Sequence, residues 1–161
     1  MSEKLSVKST ERLEVSRSVA APPEKVFALL TEPRGHVAID SSGMLQAADG
    51  KLVEAVGDEF VVHMDREALN DAPIGKYDVT VLITRYETNS HLEWTVLSAR
   101  TEVPVGHRYG YRLEPLGTGT LVRSYYDWSQ IDPRYRGKIS FPTVGESALR
   151  ATLGILARTV E

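Results

Sequence analysis

The stretch Thr143-Val-Gly-Glu-Ser-Ala-Leu-Arg-Ala-Thr-Leu-Gly-Ile-Leu-Ala-Arg-Thr-Val160 decides the fold. Gly145, Leu149, Leu153, Leu156 and Val160 recur at helical spacing and form one apolar stripe over roughly 24 Å of helix. Thr143 and Glu146 stand at the spacing of a capping box, which predicts that the helix starts there. A helix with one apolar stripe needs a partner surface, and the residues before it supply a sheet. Thr120–Trp128 places Val122, Ser124, Tyr126 and Trp128 on one side and Arg123, Tyr125 and Asp127 on the other, so Tyr126 is predicted inward and Tyr125 outward. Before it, Arg108–Glu114 groups Tyr109, Tyr111 and Leu113 on one face, after the loop Pro104-Val-Gly106. Gly117-Thr-Gly119 turns one strand into the next.

Working further outward, Leu92, Trp94 and Val96 alternate after the turn at Asn89-Ser90, and Tyr77–Glu87 is rich in β-branched residues. Glu59–Arg66 alternates Phe60, Val62 and Met64 against polar neighbours, with Asp65-Arg66-Glu67 as a solvated strand end. Weaker extended stretches flank Asp49-Gly50 and Gly57-Asp58. At the other end, Leu13, Val15 and Val19 mark a first strand, ended by Pro22-Pro23. The prolines open a short helix over Glu24–Leu30, and Glu32-Pro33 opens a second that runs to about Ile39. Strand, two short helices, about six strands joined by short turns, then one long helix is an α+β order with an antiparallel sheet curved around the last helix.

The segments Val15-Ser-Arg-Ser-Val-Ala-Ala-Pro-Pro-Glu-Lys-Val-Phe27 and Gly119-Thr-Leu-Val-Arg-Ser-Tyr-Tyr-Asp-Trp128, in that order, resemble the START-like helix-grip (SRPBCC) superfamily, and within it the bacterial polyketide cyclase/dehydrase and lipid-transport family. The resemblance spans roughly Glu11 to Val160. It implies a seven-stranded antiparallel sheet gripping the C-terminal helix, with a cavity between them that in relatives takes lipids, sterols, polyketides or other apolar molecules. Residues 11–161 are then expected to form one helix-grip domain, and residues 1–10 a flexible extension.

Composition narrows the function. The 161 residues are 42% hydrophobic and 25% charged with net charge -3, so extended binding to nucleic acid is not expected. No run reaches the roughly eighteen apolar residues of a membrane helix, and the mixed charges of residues 1–14 do not form a signal peptide, so a cytoplasmic setting is the expectation. With no cysteine there is no thiol nucleophile or Cys-based zinc site. His36, His63, His91 and His107 lack metal-binding spacing, so neither metal nor cofactor is expected. His63 falls on the outer face by alternation, and His91, after a turn, reads as solvated.

The aromatic set carries the functional reading. Trp94, Tyr109, Tyr111, Tyr126 and Trp128 fall on inward positions of three strands, where tyrosines offer apolar area and an orienting hydroxyl. With Leu149 and Leu153 from the helix they are the candidate ligand-binding residues for a small apolar or amphipathic molecule such as a lipid or polyketide. Two alternatives stand beside binding. One is a cyclase or aromatase in which His36 and Asp40, four residues apart, pair as a general base. Arg108 and Arg112 point away from Tyr109 and Tyr111 by alternation, which counts against that chemistry. The other is a protein-interaction module whose cavity is collapsed. An open cavity of about 300 Å³ or more separates binder from module. Two loops are candidates to control entry: Glu67–Lys76, and Asp132–Phe141 with Arg134, Arg136 and Lys138 as an anion-steering trio.

Overall fold

The computed structural model describes residues 11–67 and 74–161. Its elements are β1 (Arg12–Val19), α1 (Pro23–Thr31), α2 (Pro33–Ile39), β2 (Leu45–Asp49), β3 (Glu59–Asp65), β4 (Lys76–Glu87), β5 (His91–Ser98), β6 (Arg108–Leu116), β7 (Gly119–Asp127), a 3-10 turn (Pro133–Tyr135) and α3 (Glu146–Val160). The seven strands form one antiparallel sheet in the order β1-β7-β6-β5-β4-β3-β2. The first strand therefore pairs with the last, and the end of α3 meets the end of β1, where Glu161 accepts the Ala20 amide at 2.9 Å. This is the α+β helix-grip layout expected from the order of elements. The expected flexible extension at residues 1–10, and the tip of the Glu67–Lys76 loop at 68–73, lie outside the described residues.

Alternation explains which face the helices cover. Val15, Val122, Leu113, Leu92, Ile83 and Phe60 are buried on the concave face, against Val26, Leu30, Leu153 and Leu156 from the helices. The short helices start at prolines, as a missing N–H requires. Glu32 also accepts the backbone N–H of Arg34 at the start of α2. No helix among the described residues is long and apolar enough to cross a membrane.

The expected start of the long helix is corrected first. The long helix begins at Glu146, with exposed Gly145 as N-cap and no side-chain cap. Thr143 does not cap it, because its hydroxyl donates instead to Tyr126 Oη at 3.0 Å. Glu146 pairs with Arg150 one turn on, at 2.8 Å.

Tyr125 does sit on the opposite face from Tyr126, yet it is only 2% exposed. The convex face here carries a polar cluster that buries it. Tyr125 donates to Glu93 Oε1 at 2.8 Å and accepts Nε2–H of His91 at 2.7 Å, and the Arg12 guanidinium lies 4.0 Å from its ring centroid. Gly110, directly across on β6, leaves the ring its space. His91 is correspondingly buried, not solvated. Glu93 also accepts Thr84 at 2.7 Å and Arg108 at 3.1 Å. Burial raises its pKa, but the hydrogen bonds from Thr84, Tyr125 and Arg108 outweigh it and leave the carboxyl below its usual value. Arg108 thus points to the convex side, as alternation predicts.

The basic trio is also largely occupied. Arg134 pairs with Asp132 at 3.1 Å, and Arg136 with Glu11 at 2.6 Å, which ties the segment to the start of β1. His63 does lie on the outer face, held between Asp49 at 2.6 Å and Asp78 at 2.7 Å; their hydrogen bonds raise its pKa.

Candidate functional site

Between the concave face and the helices lies a cavity of about 560 Å³. Its existence follows from side-chain size. Val62, Val79, Val81 and Val96 on β3 to β5 are short, and Ala148 on the facing helix does not fill the space they leave. Ile39 and Leu149 close it from the helix side, while Asp40, Ser41, Ser42 and Arg66 stand at positions along its lining with partial or full exposure. Arg66 is thus part of the cavity wall and not a plain solvated strand end. The cavity exceeds what a collapsed interaction module would retain.

The polar chemistry lies along a row of rings. His36 packs edge-on against Trp94 at 4.8 Å between centroids, Trp94 stacks over Tyr109 at 6.0 Å, and Tyr109 meets His107 at 5.1 Å. Tyr111 stacks on the same Trp94 at 5.9 Å. The register makes this row, since Trp94 pairs with Tyr109 and Tyr109 with Tyr126 across three neighbouring strands.

The sequence-derived residues divide into two groups. Trp94, Tyr109, Tyr111 and Leu149 line the cavity. Tyr126, Trp128 and Leu153 do not: Tyr126 is fully buried behind the wall, Trp128 stacks on it at 5.5 Å, and Leu153 is packed into the core at 1% exposure.

His36 and Asp40 both reach the cavity but form no pair. His36 donates Nε2–H to the Leu30 carbonyl at 2.8 Å. Asp40 spends its carboxylate on the next turn, accepting Ser42 Oγ at 2.8 Å and the Gly43 amide at 2.8 Å. The helix ends at Ile39, so the i,i+4 geometry that would join them is not reached. The expected general-base pair is therefore absent.

His107 is the residue that the sequence reading passed over. Its Nδ1 lies 2.8 Å from Tyr126 Oη, and the same Tyr126 oxygen accepts from Thr143. The signal was present: His107 continues the parity of Tyr109 and Tyr111, two residues before the first of them. Its place in the loop ahead of β6 hid it.

Burial sets the protonation of the histidine and tyrosine rings. Desolvation pushes His107 down to about 4 and lowers His36 as well, where the backbone bond to Leu30 opposes the shift without reversing it. The same desolvation pushes Tyr111 up to about 12, partly offset by the Ser124 hydroxyl, and raises Tyr109 and Tyr126. At neutral pH both imidazoles and all three phenols are uncharged. Among the described residues no cluster of three His, Asp or Glu side chains is placed to hold a metal ion.

Residues 10–161 match the family described as polyketide cyclase / dehydrase and lipid transport. The chain belongs to this family. It is also 33% identical over 120 residues to the uncharacterized protein Rv0088 of Mycobacterium tuberculosis, an overlap covering 71% of this chain and 47% of that protein. The chain thus spans about half the length of the curated relatives it matches. Among solved structures, protein CV1439 from Chromobacterium violaceum superimposes with a TM-score of 0.65 at 16% identity, covering 94% of this chain and 98% of that one. The Aha1 dimer from Colwellia psychrerythraea gives 0.60 at 17% identity, over 93% of this chain and 96% of its own. These structural likenesses establish the START-like fold. The family membership supports ligand binding in general.

Proposed function

We propose that this protein binds a small apolar or amphipathic molecule, of the lipid or polyketide kind, in the cavity between the sheet and α3, with residues 11–161 acting as one helix-grip domain. The observation that carries the reading is the 560 Å³ cavity itself, walled by valines and by the Trp94–Tyr109–Tyr111 stack. Apolar walls with a few placed polar groups are what a small-molecule site requires. Binding is favoured over proton-transfer catalysis by the state of the imidazoles. A general base works best with a pKa near the working pH, whereas His107 is pushed down to about 4 and His36 is lowered too.

The test uses the neutral dye Nile red. The parent should bind it with micromolar or tighter affinity and lose part of its tryptophan emission. That quenching should vanish in Trp94→Phe and persist in Trp128→Phe, because only Trp94 lines the cavity. Ala148→Trp and Leu149→Trp fill the cavity from the helix side and should weaken the dye by tenfold or more. Ala148 packs less tightly than Leu149, so its variant keeps the test valid should Leu149→Trp unfold. A folded Ala148→Trp protein that binds like the parent refutes the cavity as the site.

A further inference from the structure

The two imidazoles of the cavity wall are not interchangeable hydrogen-bonding groups. A carbonyl oxygen only accepts, so the 2.8 Å contact between His36 Nε2 and the Leu30 carbonyl places the proton on Nε2. A neutral imidazole has one N–H, and Nδ1 of His36 is then a bare acceptor. At the other end of the row the assignment runs the opposite way. Thr143 donates its hydroxyl proton to Tyr126 Oη at 3.0 Å and turns its backbone N–H to the same oxygen, so both lone pairs are taken and the Tyr126 proton is left for His107 Nδ1 at 2.8 Å. His107 therefore accepts at Nδ1 and carries its own proton on Nε2. Neither His36 Nδ1 nor His107 Nε2–H has a hydrogen-bond partner among the described residues.

We infer that the cavity reads hydrogen-bond polarity along its length: it selects a flat, rod-shaped molecule with a hydroxyl that donates to His36 Nδ1 and a carbonyl that accepts from His107 Nε2–H. This rests on the cavity being the ligand site. The two rings stand three ring-to-ring steps apart, of 4.8, 6.0 and 5.1 Å, with Trp94 and Tyr109 between them as a stacking surface. A tyrosine hydroxyl without fixed partners cannot give this direction, since it rotates to donate or accept as needed. A tautomer fixed from behind cannot rotate its proton away. Thr143 and Tyr126 are accordingly positioning residues for His107, and the Leu30 carbonyl plays that part for His36. A ligand lacking either group leaves one buried polar atom unsatisfied, which discriminates more strongly than a missing apolar contact.

The experiment uses three matched rods, 4-hydroxychalcone, 4-methoxychalcone and 4-hydroxystilbene, competing with Nile red on the intact chain at pH 7. The absence of cysteine removes thiol addition to the enone as a complication. 4-Hydroxychalcone should bind about tenfold more tightly than 4-methoxychalcone, which cannot donate, and about tenfold more tightly than 4-hydroxystilbene, which has no carbonyl. In His107→Phe the preference over the stilbene should fall to within about twofold while the preference over the methoxy compound remains. In His36→Leu the converse should hold. Because these variants remove buried side chains, imidazole 15N spectra of the parent provide a second measurement. They should show His36 protonated on Nε2 and bare on Nδ1, and the His36 Nδ1 resonance should move with 4-hydroxychalcone and not with 4-methoxychalcone. Equal binding of the three rods where Nile red binds well, or a His36 proton on Nδ1, overturns this inference and leaves the binding reading standing. Failure of Nile red to bind the folded parent sinks both.

Discussion

Gly110 lies inside β6, where a glycine weakens a strand and asks for a reason. The reason is the Tyr125 ring. A Cβ built at residue 110 would fall 2.3 Å from both Cζ and Oη of Tyr125 and 2.7 Å from Cε2. Ordinary contact needs about 3.5 Å or more, so in Gly110→Ala the ring must retreat by roughly an ångström or more. It has no easy direction, being 2% exposed and covered by Arg12 at 4.0 Å. Retreat also breaks the bonds to Glu93 at 2.8 Å and His91 at 2.7 Å. Overpacking of this kind costs about 1–3 kcal/mol, and a hydrogen bond to a charged carboxylate about 1.5–3 kcal/mol. Glu93 keeps Thr84 and Arg108, so the lower half of the second range applies, and replacing glycine returns about 0.5–1 kcal/mol of backbone entropy. The expected net loss is about 3 kcal/mol. Urea melts should show it as a lowered midpoint with unchanged slope, and thermal melts as a drop of roughly 6–12 °C for a chain of this length. In a Tyr125→Ser background the same Gly110→Ala change should be close to neutral, because its obstacle is gone. A loss below about 1 kcal/mol in the parent, or equal losses in the two backgrounds, would refute the steric account.

Two further predictions come from the buried polar groups. Folded-state depression of His36 and His107 means that the unfolded chain, titrating near 6.5, binds more protons as pH falls. Stability is then complete above about pH 6.5 and declines toward pH 4, by up to about 3 kcal/mol from His107 alone; urea melts at pH 7.5, 5.5 and 4.5 that give equal stability would count against the neutral, buried assignment. Thr143→Ala should cost about 1 kcal/mol through the Tyr126 hydroxyl, with losses that do not add to those of Tyr126→Phe. If instead amide exchange in the first turn of α3 accelerates while the Tyr126→Phe background leaves the cost unchanged, Thr143 acts as a cap after all.

The concave face was legible in the sequence because it obeys one period. Val122, Tyr126, Tyr111 and Leu113 alternate without interruption, and a one-residue slip would turn every one of them to solvent, so the register is strongly specified. The convex face was not legible for the same reason. Alternation assigns Tyr125 and Glu93 to that side correctly, but it says nothing about whether their neighbours will cover them. Tyr125 is buried by a guanidinium from β1, a carboxylate and an imidazole from β5 and an absent side chain on β6. Those partners lie 15 to 113 positions from Tyr125 in no pattern that a periodic reading detects, and only the strand order joins them.

The same limit explains the site. Trp94, Tyr109 and Tyr111 were found by parity, whereas Tyr126 and Trp128 share that parity and stand behind the wall, because cavity shape depends on what α3 and the β3 to β5 valines leave empty. His36 and Asp40 drew notice through helical spacing, which held only up to Ile39. What gives His36 its chemistry is a main-chain carbonyl six residues back, a partner that no side-chain motif records. The Tyr126 hydroxyl that meets His107 Nδ1 is likewise bonded by Thr143, the residue that spacing had assigned to a helix cap. Backbone and hydroxyl partners orient these imidazoles without adding charge. Two imidazoles held neutral by burial suit hydrogen bonding to a ligand better than proton transfer, for which a pKa near the working pH is needed.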